Sequence, residues 1–350
     1  ALGTSLVASS AIAADASLTG NVGYTWSSEE VGTQTTDGIG YEADFNMVVS
    51  GELDNGWTAT GSLLLTESAA LSSSWTSLTM GSAGTIIVGN GYGGVGQAFD
   101  DVTPKAYEEN HDGMKTTTVI DSLGSTMDNG QILYVSPSFD MMGVSAQIMA
   151  EYAPEASDVA ITDGAVDGSS SKWSSGQGLG VKLSMGGISA GAYANERTAE
   201  TTTENAILSG SPSGDAMDAT WHVSYSAGPV SIGYQTGGAD MGVAAAATNA
   251  TVAKTLAAAG GVFEFEKMSI AANLSDSVSV SWGQLKETYD AQDNASTAIP
   301  DVEMKSTSIQ FAYTMGSMKV AGYMTDTDNP GWDSNASSDE VTELAVNFAF

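Results

Sequence analysis

Cysteine is absent from this 350-residue chain, histidine occurs twice and arginine once. The chain therefore has no disulfide framework, no thiolate metal centre and no cysteine nucleophile. Basic side chains are scarce: 10 Lys and Arg face 42 Asp and Glu, a formal net charge of −32. Phosphate recognition needs clusters of Lys and Arg, so the balance argues against nucleic acid as a partner. Long apolar runs are missing too. No stretch reaches the ~18 consecutive apolar residues of a membrane helix. The nearest, Val243 to Ala259, is interrupted by Thr248, Asn249, Thr251, Lys254 and Thr255. Any membrane crossing must therefore use strands. Disorder, the other usual reading of high acidity, does not suit 42% hydrophobic residues, 7 Trp and 12 Tyr.

Sixteen short stretches alternate apolar with polar residues, and the last ends on the final residue with Leu344, Val346, Phe348 and Phe350. A period of two sends successive side chains to opposite faces of a strand. One face carries Val, Leu, Ile, Met, Ala or an aromatic; the other carries Ser, Thr, Gly, Asn, Glu or Asp. Leu18, Val22, Tyr24 and Trp26 form such a row, as do Tyr41, Ala43, Phe45, Met47 and Val49. The pattern suits strands standing between an apolar medium and water. Seven short turns alternate with eight longer loops, which predicts an all-β, sixteen-stranded antiparallel transmembrane β-barrel. The longest irregular stretch runs from about Gly91 to Asn129. Two places fit badly: Glu264, Glu266 and Lys305 fall on the lipid phase. These residues are expected above the membrane or beside a β-bulge.

The N-terminus reads as processing information. Leu2 to Ala14 are small and apolar, and Ala11-Ile12-Ala13 has the small-x-small form of a signal-peptidase site. Residues 1–14 are read as the remnant of a secretory signal, with the mature chain, 15–350, forming one barrel domain.

The chain resembles the general diffusion porins of Gram-negative bacteria, particularly the alphaproteobacterial sixteen-stranded type. The residues that carry the resemblance are Leu18-Thr19-Gly20-Asn21-Val22-Gly23-Tyr24, the hairpin from Leu78-Thr79-Met80-Gly81 to Ile87-Val88-Gly89-Asn90, and the terminal Phe350. The resemblance implies an outer-membrane homotrimer of water-filled barrels, in contact with outer-membrane lipid and lipopolysaccharide. It also implies a third long loop folded inward to narrow the pore, here 91–129, and a terminal aromatic, Phe350, read by the barrel-assembly machinery. The chain departs from the family in one respect. Such porins usually set a cluster of Arg on the wall opposite an acidic loop, and the matching positions here are Glu42 and Asp44.

Candidate site residues follow from charge. Asp100, Asp101, Glu108, Glu109, Asp112 and Asp121 lie in the loop, and Glu42, Asp44 and Glu52 lie on the wall phase facing the lumen. Carboxylates around a confined aqueous passage concentrate cations and repel anions. Crowded together, several should have raised pKa values or bind divalent cations. Lys182, Lys267 and Lys319 fall on lumen phases and form a sparse basic wall opposite the loop, although each taken singly reads as a solvated strand residue. Loosely bound calcium is expected at Asp100 and Asp101 or at Asp326 and Asp328. The stretch from Asp326 starts like a calcium loop but has Pro330 at a ligand position and Ser337 where Glu is required. No cofactor is expected. Gly91-Tyr92-Gly93-Gly94-Val95-Gly96 has the glycine spacing of a dinucleotide fingerprint but opens no helix, so the glycines read as backbone freedom for a turn. His111 and His222 have neither metal-ligand spacing nor a triad arrangement. The expected function is a passive channel, with no catalytic step, for small hydrophilic solutes and preferentially for cations. A secreted, acidic surface-layer or adhesin-like protein is the alternative.

Overall fold

The computed structural model describes residues 15–66, 70–110, 112–114, 116, 118–124, 127, 129–154, 156, 173–199, 214–242, 261–290 and 301–350. The expected signal remnant at 1–14 and His111 lie outside the described residues. Alternating residues build the wall: β1 (Asp15–Val31), β2 (Gln34–Glu52), β3 (Thr58–Leu65), β4 (Leu71–Thr79), β5 (Thr85–Asn90), β6 (Asn129–Val135), β7 (Phe139–Met141) and β8 (Val144–Ala153). It continues through β9 (Trp173–Met185), β10 (Ile188–Ala199), β11 (Ala216–Ala227), β12 (Val230–Asp240), β13 (Val262–Ser275), β14 (Val278–Asp290), β15 (Val302–Met315), β16 (Met318–Asp328) and β17 (Asp339–Ala349).

Apart from β6 and β7, consecutive strands pair antiparallel. β6 and β7 both pair with β8 and form one interrupted wall strand, so the segments make sixteen strands. β1 pairs with both β2 and β17, which closes the sheet. The result is a closed sixteen-stranded antiparallel barrel with no free sheet edge. Phe350 completes the seam: its N–H donates to the Gly20 carbonyl at 2.8 Å and its carbonyl accepts from Gly20 at 3.2 Å.

The two faces of the wall differ as the alternation requires. Leu18, Ile39, Leu179, Ile232, Ile309 and Leu344 stand exposed on the outside. The opposite phase carries buried Gln131, Glu151, Asn195, Asp218, Gln235, Lys267 and Gln310. This arrangement inverts the soluble one and matches a barrel in lipid. Among the described residues no helix is long and apolar enough to cross a membrane.

Two polar stretches pair further than the apolar alternation reaches. The polar stretch after Ser27 is not a loop: β1 and β2 run on to Val31 and Gln34 and are joined by only Gly32-Thr33, with Gly32 at φ 62°. Thr35, Thr36 and Asp37 pair across to Glu30, Glu29 and Ser28, which continues the ladder in spite of the polarity. Likewise Pro137 to Gly143 is not all turn, because Phe139–Met141 pairs with Val144–Ala146.

Glu264 and Glu266 do stand exposed on the outer face, and no bulge lies beside them. The irregularity of that hairpin is at Asn273 and Ser275. Cross-strand neighbours explain the row. Glu266 pairs with Lys286 and Lys286 with Lys305; Lys286 Nζ lies 3.4 Å from Glu303, and Lys305 Nζ 3.6 Å from Asp328. On the inner phase of this part of β13 sit Phe263 and Phe265, fully buried. The polarity of β13 therefore reverses towards its loop end, polar outside and apolar within.

Candidate functional site

The interior of the barrel is organised by the connection between β5 and β6, residues 91–128, which is tied to inward-facing side chains of many strands. Its glycine-rich start supplies the bends: Gly91, Gly93 and Gly94 have φ of 64°, 85° and 59°, values that side-chain-bearing residues rarely adopt. The Val95 N–H donates to Glu151 on β8 at 2.5 Å, and Tyr193 on β10 donates to the other oxygen of that carboxylate at 2.7 Å. The Gly124 N–H reaches Asp218 on β11 at 3.2 Å, where Asn195 also donates at 2.9 Å. Gln235 on β12 accepts from the Val102 N–H at 3.1 Å and donates to the Phe99 carbonyl at 2.6 Å. The Val119 N–H reaches Glu287 on β14 at 2.9 Å. Backbone polar groups that leave water need such partners, and here wall side chains provide them.

Apolar packing adds to these bonds. Val95 and Phe99 join Ile87, Leu133 and Tyr193, with Phe99 stacked on Tyr193 at 5.6 Å between centroids. Val119, Ile120 and Leu123 join Phe263, Phe265, Leu285, Tyr289, Met304 and Trp332. Each fully buried side chain of this size contributes roughly 1.5–3 kcal/mol. The reversed polarity of β13 is thereby explained: Phe263 and Phe265 face the segment inside the barrel.

The three inward lysines all touch this segment. Lys267 forms an ion pair with Asp101, each side chain 1% exposed. Asp101 also accepts from the Thr103 hydroxyl at 2.8 Å. Lys182 Nζ lies 5.1 Å from the centre of the Phe99 ring and Lys319 Nζ 4.5 Å from that of Tyr107. His222 is buried on β11, 6.0 Å from Phe99. Arg197 stacks under Trp173 at 4.6 Å.

The tip of the segment, Lys105 to Asp112, carries the densest charge. Ser281 on β14 accepts from the Ala106 N–H at 2.9 Å. Gln310 on β15 accepts from the Tyr107 N–H at 3.1 Å and donates to the Glu108 carbonyl at 2.6 Å. The Lys105 ammonium meets Glu109 at 2.5 Å. Burial lowers the Lys105 pKa, but the charges of Asp101, Glu109 and Asp112 outweigh it and leave the pKa above its usual value. Burial, the charge of Asp112 and a hydrogen bond with Asp112 push the Glu108 carboxyl up to about 7, against the pull of Lys319 and Lys105. Tyr107 is raised by burial and then by the charge of Glu343, so its hydroxyl remains a donor. Glu42 and Asp44 occupy the inner phase of β2, with Asn21 donating to Glu42 at 2.5 Å.

The two pairs of acids considered for calcium lie on opposite faces of the wall. Asp100 and Asp101 are held on the inner side, whereas Asp326 and Asp328 are exposed on the outer phase of β16. Asp100, Glu109 and Asp121 instead offer carboxylate oxygens within 4.8 Å of one another. Reasoning from sequence missed four wall carboxylates: Glu151, Asp218 and Glu287, which accept from backbone N–H groups of the segment, and Glu343 on β17, which accepts from Tyr107 at 3.1 Å. A signal for Glu343 exists in the hairpin register, which sets it opposite Tyr323 on the inner phase.

A barrel of this size with one long connection held inside it can be compared with known proteins. An anion-selective porin from Comamonas acidovorans superposes with a TM-score of 0.65 at 12% identity, covering 96% of this chain and 100% of that one. Salmonella typhi OmpF, in complex with daunomycin, gives 0.68 at 13% identity, covering 96% and 97%. The trimer form of OmpT from Vibrio cholerae gives 0.62 at 15%, covering 96% and 99%. A search of curated proteins finds no match to the chain. The model of the Gram-negative porin family matches residues 1–277, most of the chain. The chain belongs to the Gram-negative porins, β-barrel channels of the outer membrane.

Proposed function

We propose that the barrel is a passive, cation-preferring passage for small hydrophilic solutes, narrowed by the segment between β5 and β6 and free of any catalytic step. The observation that carries this reading is the charge around the tip of the segment. Glu108, Glu109 and Asp112 on the tip, Glu42 and Asp44 on β2, and Glu343 on β17 stand against Lys105 and Lys319. Lys267 is neutralised by Asp101, and the one arginine is stacked under Trp173. An excess of fixed negative charge in a confined aqueous path raises the local cation concentration. Carboxylate triads such as Asp100, Glu109 and Asp121 are where calcium would be held loosely. We also assign the protein to homotrimers in contact with outer-membrane lipid and lipopolysaccharide, with Phe350 as the residue offered to the assembly machinery. Membership of the family and the trimer form of Vibrio cholerae OmpT support this assembly.

Neutralising Glu42, Asp44, Glu108 and Asp112 together to Gln or Asn tests the reading. The permeability of potassium relative to chloride should fall towards unity in planar bilayers. An unchanged ratio would mean that these carboxylates do not line the path.

A further inference from the structure

Glu343 stands on the inner phase of β17 and spends both carboxylate oxygens on tyrosines. Tyr107, from the tip of the inner segment, donates to Oε1 at 3.1 Å, and Tyr323, from β16, donates to Oε2 at 3.4 Å. The two rings lie side by side, with centroids 6.3 Å apart and planes 29° apart. Lys319 caps the free side of Tyr107 at 4.5 Å. A side chain added at Gly113 would run into the Tyr323 ring and Val341, so the segment packs hard against this part of the wall. Among the described residues, the other wall bonds to the tip come from Ser281, Gln310 and Ser306 and hold its backbone. Glu343 and Tyr107 fix the tip through a side chain instead.

We infer that Glu343 is a positioning residue: by clamping Tyr107 against Tyr323 it holds the tip of the segment on the β16–β17 wall and thereby sets the width of the passage. The second half of this inference rests on the proposed channel function; the first half does not. The clamp also separates two roles of one carboxylate. Its charge contributes to ion preference, whereas its oxygens hold the loop. Glu343→Gln keeps the length of the side chain and an acceptor oxygen, while Glu343→Ala removes both.

Two readouts on the full-length, folded protein test the inference. In planar bilayers, E343A should raise single-channel conductance and current noise. E343Q should move the reversal potential towards zero without the rise in conductance and noise, because it loses a fixed charge but keeps the tip seated. Y107F should raise conductance as E343A does, and should add nothing in the E343A background, since the two remove one interaction. In detergent, tryptic cleavage after Lys105, followed by mass, should accelerate in E343A and stay slow in E343Q. A conducting parent whose E343A variant matches it in conductance and cleavage would overturn the clamp. Equal changes in E343A and E343Q would overturn it too, because charge alone would then account for them. Faster cleavage in E343A with a parent that carries no current would overturn the channel reading and leave the positioning role standing. Retention of the heat-sensitive oligomer band on gels shows that each variant has folded.

Discussion

Lys267 and Asp101 show what a single inward residue does in this barrel. Both side chains are 1% exposed, one on β13 and one on the inner segment, so the pair exists only when the segment is in place. Removing one partner leaves a buried charge, which costs about 3–5 kcal/mol, whereas replacing both by apolar residues of similar size is nearly neutral. Asp101→Ala should therefore lower the denaturant midpoint sharply, and Asp101→Leu with Lys267→Met should recover most of the loss. A mild effect of the single change would mean that water reaches the ammonium. Glu108 makes a second claim at this scale. Its carboxyl, raised to about 7 first by burial and then by Asp112, takes up a proton near neutrality. Potassium preference should accordingly fall as pH drops from about 8 to about 6, well above the ordinary carboxylate range, and Glu108→Gln should flatten that step. The sign for stability follows from the same shift. A folded-state pKa above the ordinary glutamate value of 4.5 contributes stability that is complete below that value and lost as pH rises through about 7.

At the scale of elements, the inner segment and the wall are cut to fit each other. Inward glycines on β9, β10, β12 and β14 are the seats. A Cβ on Gly180 or Gly191 would strike Phe99, one on Gly233 would strike Pro104, and one on Gly283 would strike Asn110. Gly180→Val should thus unseat the Phe99 end of the segment, raising conductance while leaving the strand content of the circular dichroism spectrum unchanged; an unaltered conductance would show that Phe99 has room to move. Elements also separate what was legible in the sequence from what was not. The outward rows, such as Leu18-Val22-Tyr24-Trp26 or the closing Leu344-Val346-Phe348, could be read directly, because a lipid-facing wall enforces a strict period of two. The segment's attachments could not. No periodicity connects Val102 to Gln235 or Tyr107 to Glu343, since those contacts arise only once the sheet has closed. The three lysines illustrate the limit: the phase placed them on the inside, but only the closed sheet shows that they touch the segment. Glu264 and Glu266 looked anomalous for the same reason. The neighbours with which they alternate, Phe263 and Phe265, make sense only against Ile120 and Leu123. The polar end of the first hairpin misled in the other direction, because backbone pairing extends strands beyond the apolar pattern.

For the whole molecule, the barrel shape and the charge within it are separate properties. A porin from Comamonas acidovorans that superposes over its full length is named as anion-selective, so the architecture by itself gives no ground for the cation preference proposed here. That preference must come from the side chains on the inner face, and here one arginine and nine lysines face 42 acids over the chain. The apolar outer face predicts that extraction requires detergent, and the proposed homotrimer predicts migration as an oligomer until heated; recovery as a soluble monomer in chelator alone would contradict a membrane barrel and favour a secreted surface protein. The most direct test of the central claim is the reversal potential of the purified protein in a planar bilayer under a KCl gradient at pH 7.5. The account predicts a potential displaced towards that of potassium, and a potential displaced towards that of chloride would contradict it.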